Sequence, residues 1–247
     1  MKRLSDRRIL VVGASSGIGR ATAGVLAGEG ARLAVAARRV ERLEQVAQEV
    51  AGGAVVVPCD VRDPEACAAA VAQAVRGLGG LDALVYVTGI APFRPLVEAD
   101  AEVWRSALEV NVIGASLVTR AALPHLAESR GRALYVSSIA ALDHPPRRGL
   151  SLYVTSKAAL DKLVALWQVE HPEVSFTRVS VGDTGSTEMG AGWDAERGGE
   201  LIREWNAKGF MFGRAMRPES VGRHLADLLA GEEAVPVSIV VPRSGRD

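Results

Sequence analysis

The chain has 247 residues, 48% of them hydrophobic, so one sizeable α/β domain can bury its own core without disulfide or metal staples. Its 29 basic and 29 acidic side chains cancel and neither sign forms a long block, which argues against nucleic acid or an anionic membrane as partner and for a small neutral or weakly charged substrate. Two isolated cysteines, Cys59 and Cys67, four histidines without ligand spacing (His125, His144, His171, His224) and no apolar run of spanning length exclude a disulfide framework, argue against a metal site and point to a soluble cytoplasmic protein with reduced thiols.

Short β-branched runs predict strands at 8–12, 32–37, 54–58, 82–88, 132–138, 174–181 and 236–241, most of them separated by segments with helical apolar spacing. Such alternation predicts a Rossmann-like, doubly wound α/β fold: a mainly parallel seven-stranded sheet with helices on both faces, in a single domain over residues 1–247.

The first strand runs into Gly13-Ala14-Ser15-Ser16-Gly17-Ile18-Gly19, which opens a helix. Gly13 permits the tight turn, Gly17 the approach of a pyrophosphate, and Gly19 close helix-strand packing, with helix N-terminal N–H groups aimed at phosphates. At the end of the second strand, Val35-Ala36-Ala37-Arg38-Arg39 offers cations where an NAD enzyme usually carries an acid, so NADP(H) is the expected cofactor. Arg38 is the first choice for the 2′-phosphate contact and Arg39 the second. Asp60, after the third strand, is placed either to touch the adenine edge or to form the turn. Asp63-Pro64-Glu65 reads as a helix start, as does Arg217-Pro218-Glu219 later.

Tyr153 and Lys157 stand at i and i+4 on one face of a helix continuing through Leu160, Leu163 and Leu166. A nearby ammonium and an oxidised nicotinamide both favour the phenolate, so Tyr153 can exchange a proton with a substrate oxygen while hydride moves. With only three tyrosines and four lysines in the chain, this spacing is a poor candidate for coincidence.

Taken in order, the Gly13–Gly19 loop, Asp60-Val61, Asn111, Ser137-Ser138 and Tyr153 with Lys157 resemble the compact, single-domain branch of the short-chain dehydrogenase/reductase family over nearly the whole chain. The resemblance implies Tyr153 as general acid/base, Lys157 as its pKa-lowering partner and ribose ligand, and Ser138 as donor to the substrate oxygen, with Ser137 as the alternative. It implies that Asn111 holds a water linking Lys157 to solvent, and it brings Ile18, Val61, Gly89, Thr184 and Thr187 into the cofactor site. A carbonyl reductase or alcohol dehydrogenase acting on a small molecule follows, as a homotetramer or homodimer. The helices through Leu117–Leu126 and Leu160–Trp167 carry apolar residues around more of their circumference than one buried face needs. The alternative is a nucleotide-binding redox sensor without turnover.

Three segments depart from the family pattern. Tyr86-Val87-Thr88-Gly89 replaces Asn-Asn-Ala-Gly, so packing beside the central sheet must differ. Gly182-Asp183 replaces Pro-Gly, placing a carboxylate that either stabilises an oxidised nicotinamide or points to solvent. The stretch from Ser138 to Tyr153 is about two residues longer than usual and contains His144-Pro145-Pro146-Arg147-Arg148. Residues 183–217 break the strand-helix alternation and combine seven glycines with Trp193, Trp205, Phe210, Met211 and Phe212, which reads as a lid that closes on an apolar substrate.

Overall fold

The computed structural model describes residues 2–142, 145–190 and 192–242, so His144 and the last five residues lie outside the described structure. Its strands are β1 (Arg8–Val12), β2 (Arg32–Ala37), β3 (Ala54–Pro58), β4 (Ala83–Tyr86), β5 (Arg132–Ser138), β6 (Ser175–Val181) and β7 (Val237–Val240). They form one parallel sheet in the order β3-β2-β1-β4-β5-β6-β7. The helices are α1 (Gly17–Gly28), α2 (Val40–Glu49), α3 (Pro64–Leu78), α4 (Ala101–Leu108), α5 (Gly114–Ser129), α6 (Ser151–Glu170), α7 (Ala195–Ala207) and α8 (Pro218–Ala230). This is the doubly wound, Rossmann-like arrangement the alternation predicts.

Strand periodicity divides the core in two. Leu10 and Val12 of β1 face α3, α5 and α6, where they meet Val71, Val118 and Leu160. Ile9 and Val11 face the opposite way, toward Leu26 of α1, Leu43 of α2 and Leu225 of α8. Every second residue serves one layer, so a central strand buried on both faces reads as the continuous apolar run that marks it in the sequence.

Three strands are shorter than expected. In β4, Val87 still donates to the Val12 carbonyl (2.9 Å), but the chain then turns away with Thr88 against Gly13. The N–H of Val174 is used in a turn to the His171 carbonyl, which delays β6 to Ser175. Pro236 has no N–H to give β7. The start of α3 is as expected: the Asp63 carboxylate accepts from the Glu65 and Ala66 N–H groups at 2.8 and 3.2 Å, with Pro64 in the first turn. At α8, Pro218 occupies the first turn and Arg217 makes no side-chain cap.

Residues 183–217 are more ordered than a glycine-rich excursion suggests. They contain α7, capped by the Asp194 carboxylate on Arg197 N (2.9 Å), and a parallel bridge joins Thr184 to Met216. Leu201 and Trp205 are buried with Phe93 and Leu150 in a third apolar cluster against which Trp193, Phe210 and Met211 pack. Among the described residues no helix is long and apolar enough to cross a membrane.

Candidate active site

At the carboxyl end of the sheet, where the strand order reverses between β1 and β4, a cavity of about 760 Å³ opens, a size ordinary for a cofactor site. Gly13 has φ +95°, and a Cβ there would sit 2.7 Å from Thr88 N. A Cβ at Gly19 would overlap the Gly13 carbonyl oxygen, so the two glycines let α1 begin directly on the loop. The Ser16 hydroxyl does not cap α1. That arrangement leaves the first turn, Gly17, Ile18 and Gly19, lining the cavity with the positive end of the helix.

Arg38 and Arg39 both line this end. Arg39 Nη2 donates to Ser15 Oγ (3.0 Å), Ser16 Oγ (3.1 Å) and Glu188 Oε2 (2.7 Å), while Arg42 pairs with Glu188 Oε1. Arg38 has its electrostatic influence on Asp60 instead. Asp60 forms the turn by accepting from Arg62 N (3.0 Å) and pairing with the Arg62 guanidinium at 2.6 Å, and it lines the cavity with Val61. Those bonds first, and the Arg38 charge last, hold its carboxyl at about 2.

At the other end, α6 places Tyr153 and Lys157 one turn apart, both buried. Lys157 Nζ donates to the Val136 carbonyl of β5 at 2.8 Å and lies 5.9 Å from the Tyr153 ring centre. Ser138, ending β5, lines the same cavity as Tyr153, and its hydroxyl accepts from Ala140 N at 3.2 Å. Ser137 also lines the cavity, with its hydroxyl buried and without a hydrogen-bond partner.

Asn111 lies behind the wall, in a π turn (Glu109–Ile113) between α4 and α5. Its side-chain Oδ1 accepts from Ile90 N, and Nδ2 donates to Ile90 O and Ser156 Oγ, each at 2.8 Å. It therefore ties the Gly89-Ile90 wall to α6. Gly89 must be small, since a Cβ there would lie 3.2 Å from Lys157 Nζ.

Burial pushes the Tyr153 phenol above its ordinary value, opposed by the nearby Ser138 hydroxyl and the positive charge of Arg147. Burial pulls Lys157 down to about 8, opposed by Asp161, which is itself paired with Arg178 at 2.8 Å. In the free protein, desolvation outweighs the groups that favour the phenolate.

The departures from the family pattern fit together. Tyr86 is fully buried and donates to the Val110 carbonyl in the π turn (2.8 Å), bracing β4 against the helix layer where an asparagine is missing. Asp183 does not face solvent. It pairs with Arg147 at 2.7 Å, both side chains nearly buried, so the longer 138–153 segment neutralises the carboxylate introduced after β6. Arg147 also donates to the Phe210 carbonyl and lies 5.8 Å from the Trp205 ring centre. Thr184 Oγ1 donates to the Gly182 carbonyl (3.0 Å), and Thr187 packs over Gly17.

Of the five large apolar residues assigned to the lid, Trp193, Trp205 and Met211 line the cavity and Phe210 packs behind them. Phe212 is exposed and outside the lining. Trp193 stacks on Phe93 with ring centres 4.5 Å apart and donates to the Ala91 carbonyl at 2.9 Å. Arg42, Arg147 and Glu188 were not singled out from sequence as site residues; charge at a loop is too common a signal.

These residues fit a nicotinamide dinucleotide: a helix N-terminus and arginines at one end, a tyrosine, serine and lysine at the other. The buried lysine yields a direct check. Its folded-state value lies below the unfolded value of 10.5, so the unfolded chain holds the extra proton between about pH 8 and 10.5 and stability rises with pH across that window. Relative to Lys157→Met, wild type should gain about 2 kcal/mol between about pH 7.5 and 9.5 in urea unfolding; a pH-independent difference would contradict the burial of an ionisable ammonium.

The family model for short chain dehydrogenases matches residues 7–198. A short chain dehydrogenase from Pseudocercospora fijiensis is 39% identical over 145 residues, 56% of this chain and 47% of that protein; an uncharacterized oxidoreductase from Listeria monocytogenes is 36% identical over 147 residues, 58% and 59%. The matched part thus spans about half to three-fifths of the length of these curated relatives. Two solved structures overlay nearly end to end. The alcohol dehydrogenase from Thermococcus sibiricus complexed with 5-hydroxy-NADP has a TM-score of 0.80 at 28% identity, covering 96% of each chain. The short chain dehydrogenase from Burkholderia cenocepacia in complex with NADP has 0.83 at 28%, covering 97% of this chain and 98% of that one. The glycine loop, the buried Tyr153–Lys157 pair and the sevenfold parallel sheet thus sit in a chain that belongs to the short chain dehydrogenase family.

Proposed function

We propose that the protein is an NADP(H)-dependent oxidoreductase that moves hydride between the nicotinamide and a carbonyl or alcohol carbon of an apolar small molecule. The observation that carries this reading is the convergence of Tyr153, Ser138 and Lys157 on the same cavity as the arginine-bordered glycine loop. The NADP-bound Burkholderia and Thermococcus structures support the choice of cofactor.

Arg39, Arg38, Ser15 and Ser16 would hold the adenosine phosphate, and the first turn of α1 the pyrophosphate. The cofactor supplies the hydride and, when oxidised, a positive ring. Tyr153 and Ser138 hold the substrate oxygen between their hydroxyls, and in reduction the Tyr153 Oη–H gives its proton to that oxygen. Lys157 spends one N–H on Val136 O and keeps others for the ribose. Its charge offsets the phenolate left behind. Asn111 positions this group by joining the wall at Ile90 to α6. The segment 183–217 serves as the lid, with Trp193, Trp205 and Met211 excluding water and favouring apolar substrates.

The test is loss of NADPH absorbance with a carbonyl panel graded from bulky apolar to small hydroxylated ketones. Apolar ketones should show the higher kcat/KM, and Tyr153→Phe should lower kcat by about 10²–10⁴ while cofactor binding stays near wild type. Turnover retained in Tyr153→Phe would overturn the assignment, and tight NADPH binding without reduction of any carbonyl would favour a sensor.

A homodimer or homotetramer completes the proposal. Leu117 and Leu123 of α5 are largely covered by the core, so the exposed apolar surface falls on α6, where Leu166 is 49% and Val169 77% exposed. A second copy packed there would cover both, and light scattering at micromolar concentration should give a multiple of the chain mass; a monomer would refute it.

A further inference from the structure

Glu188 has no part in the chemistry at Tyr153, yet its carboxylate sits in a ring of donors. Arg39 Nη2 reaches it at 2.7 Å, Ser16 Oγ at 3.0 Å, and Arg42 closes the other side. Arg39 Nη2 is held in turn by Ser15 Oγ and Ser16 Oγ at 3.0 and 3.1 Å. Two guanidinium groups and a hydroxyl beside the N-terminus of α1 are the donors that suit a phosphate monoester, and here they enclose a side chain of the protein itself.

The contact is built to be exchanged. The side chains of Arg39, Arg42 and Glu188 are 41%, 43% and 43% exposed, so solvent screens each pair and neither is strong alone. The arginine hydrogen bonds keep the carboxyl at about 2, so it is anionic at any working pH. A phosphate offers more charge and a third oxygen to the same donors. Glu188 also follows Thr187, which covers Gly17, and precedes Trp193, which stacks on Phe93 in the substrate wall. Cofactor seat and substrate wall are therefore joined by one short stretch of chain.

We propose that Glu188 is a specificity-determining residue whose carboxylate occupies the seat of the cofactor's 2′-phosphate and is exchanged for that phosphate when NADP(H) binds, a displacement that is felt at Trp193. The proposal rests on NADP(H) being the cofactor. NAD(H) carries no 2′-phosphate, so with it Glu188 keeps its place on Arg39 and Arg42. Neutralising Glu188 should consequently strengthen phosphate binding, the reverse of what removing an arginine does.

Calorimetric titration of wild type, Glu188→Gln and Arg39→Ala with NADP⁺ and NAD⁺ tests this without turnover. Glu188→Gln should bind NADP⁺ about three- to tenfold tighter with NAD⁺ unchanged, whereas Arg39→Ala should lose most of the preference for NADP⁺. In parallel, the tryptophan emission that disappears in Trp193→Phe should respond to NADP⁺ but not to NAD⁺ in wild type. If wild type prefers NADP⁺ but Glu188→Gln binds it equally or more weakly, or if Trp193 responds alike to both cofactors, Glu188 is a structural brace and the proposal falls while the cofactor reading stands. If wild type binds the two cofactors equally, both fall.

Discussion

A lysine ammonium held inside the protein is the constraint on which the site depends. Lys157 is almost wholly out of solvent, and an uncompensated charge there would cost several kcal/mol. Three features offset that cost. The Val136 carbonyl accepts from Nζ, Asp161 supplies a counter-charge nearby, and Gly89 leaves space that a side chain would fill. Asn111 and Ser156 fix the surrounding backbone through three hydrogen bonds of 2.8 Å. Once Lys157 is anchored, the helical repeat dictates where Tyr153 must stand, and β5 brings Ser138 into the same cavity.

Topology supplies the rest of the cleft. Strand order reverses between β1 and β4, so the loops after these strands part and expose the N-terminus of α1 to the same cavity that Tyr153 borders. The arginine end and the phenol end are separate chemical environments, one ionic and partly wet, the other desolvated. The 183–217 segment spans both: Glu188 engages the arginines, and Trp193 and Trp205 wall the phenol end. Arg147 and Asp183 pin its base with a nearly buried ion pair.

Local signals were legible in the sequence and tertiary pairings were not. The β-branched runs locate all seven strands because each central strand is buried on two faces, and the errors fall at ends, where a turn hydrogen bond at Val174 or a proline at 236 decides. The glycine loop and the Tyr153–Lys157 spacing are short-range patterns whose geometry follows from backbone sterics and the helical repeat. By contrast, α7 carries Gly198 and Gly199 in its interior, residues that weaken a helix. It forms because Asp194 caps it and Leu201 and Trp205 find a buried cluster. The partners of Tyr86, Arg147 and Glu188 lie 24, 36 and about 150 residues away in the chain, beyond anything that spacing can encode.

The proton-transfer role of Tyr153 is the central claim, and its titration tests that role most directly. Near-ultraviolet tyrosinate absorbance of wild type minus Tyr153→Phe isolates the one phenol. In the free protein it should titrate above the ordinary tyrosine value of 10.0, because burial dominates. Saturation with oxidised cofactor should bring that titration down, as a positive ring joins Lys157 beside the phenolate. A phenol that titrates at the same pH with and without oxidised cofactor would contradict the account.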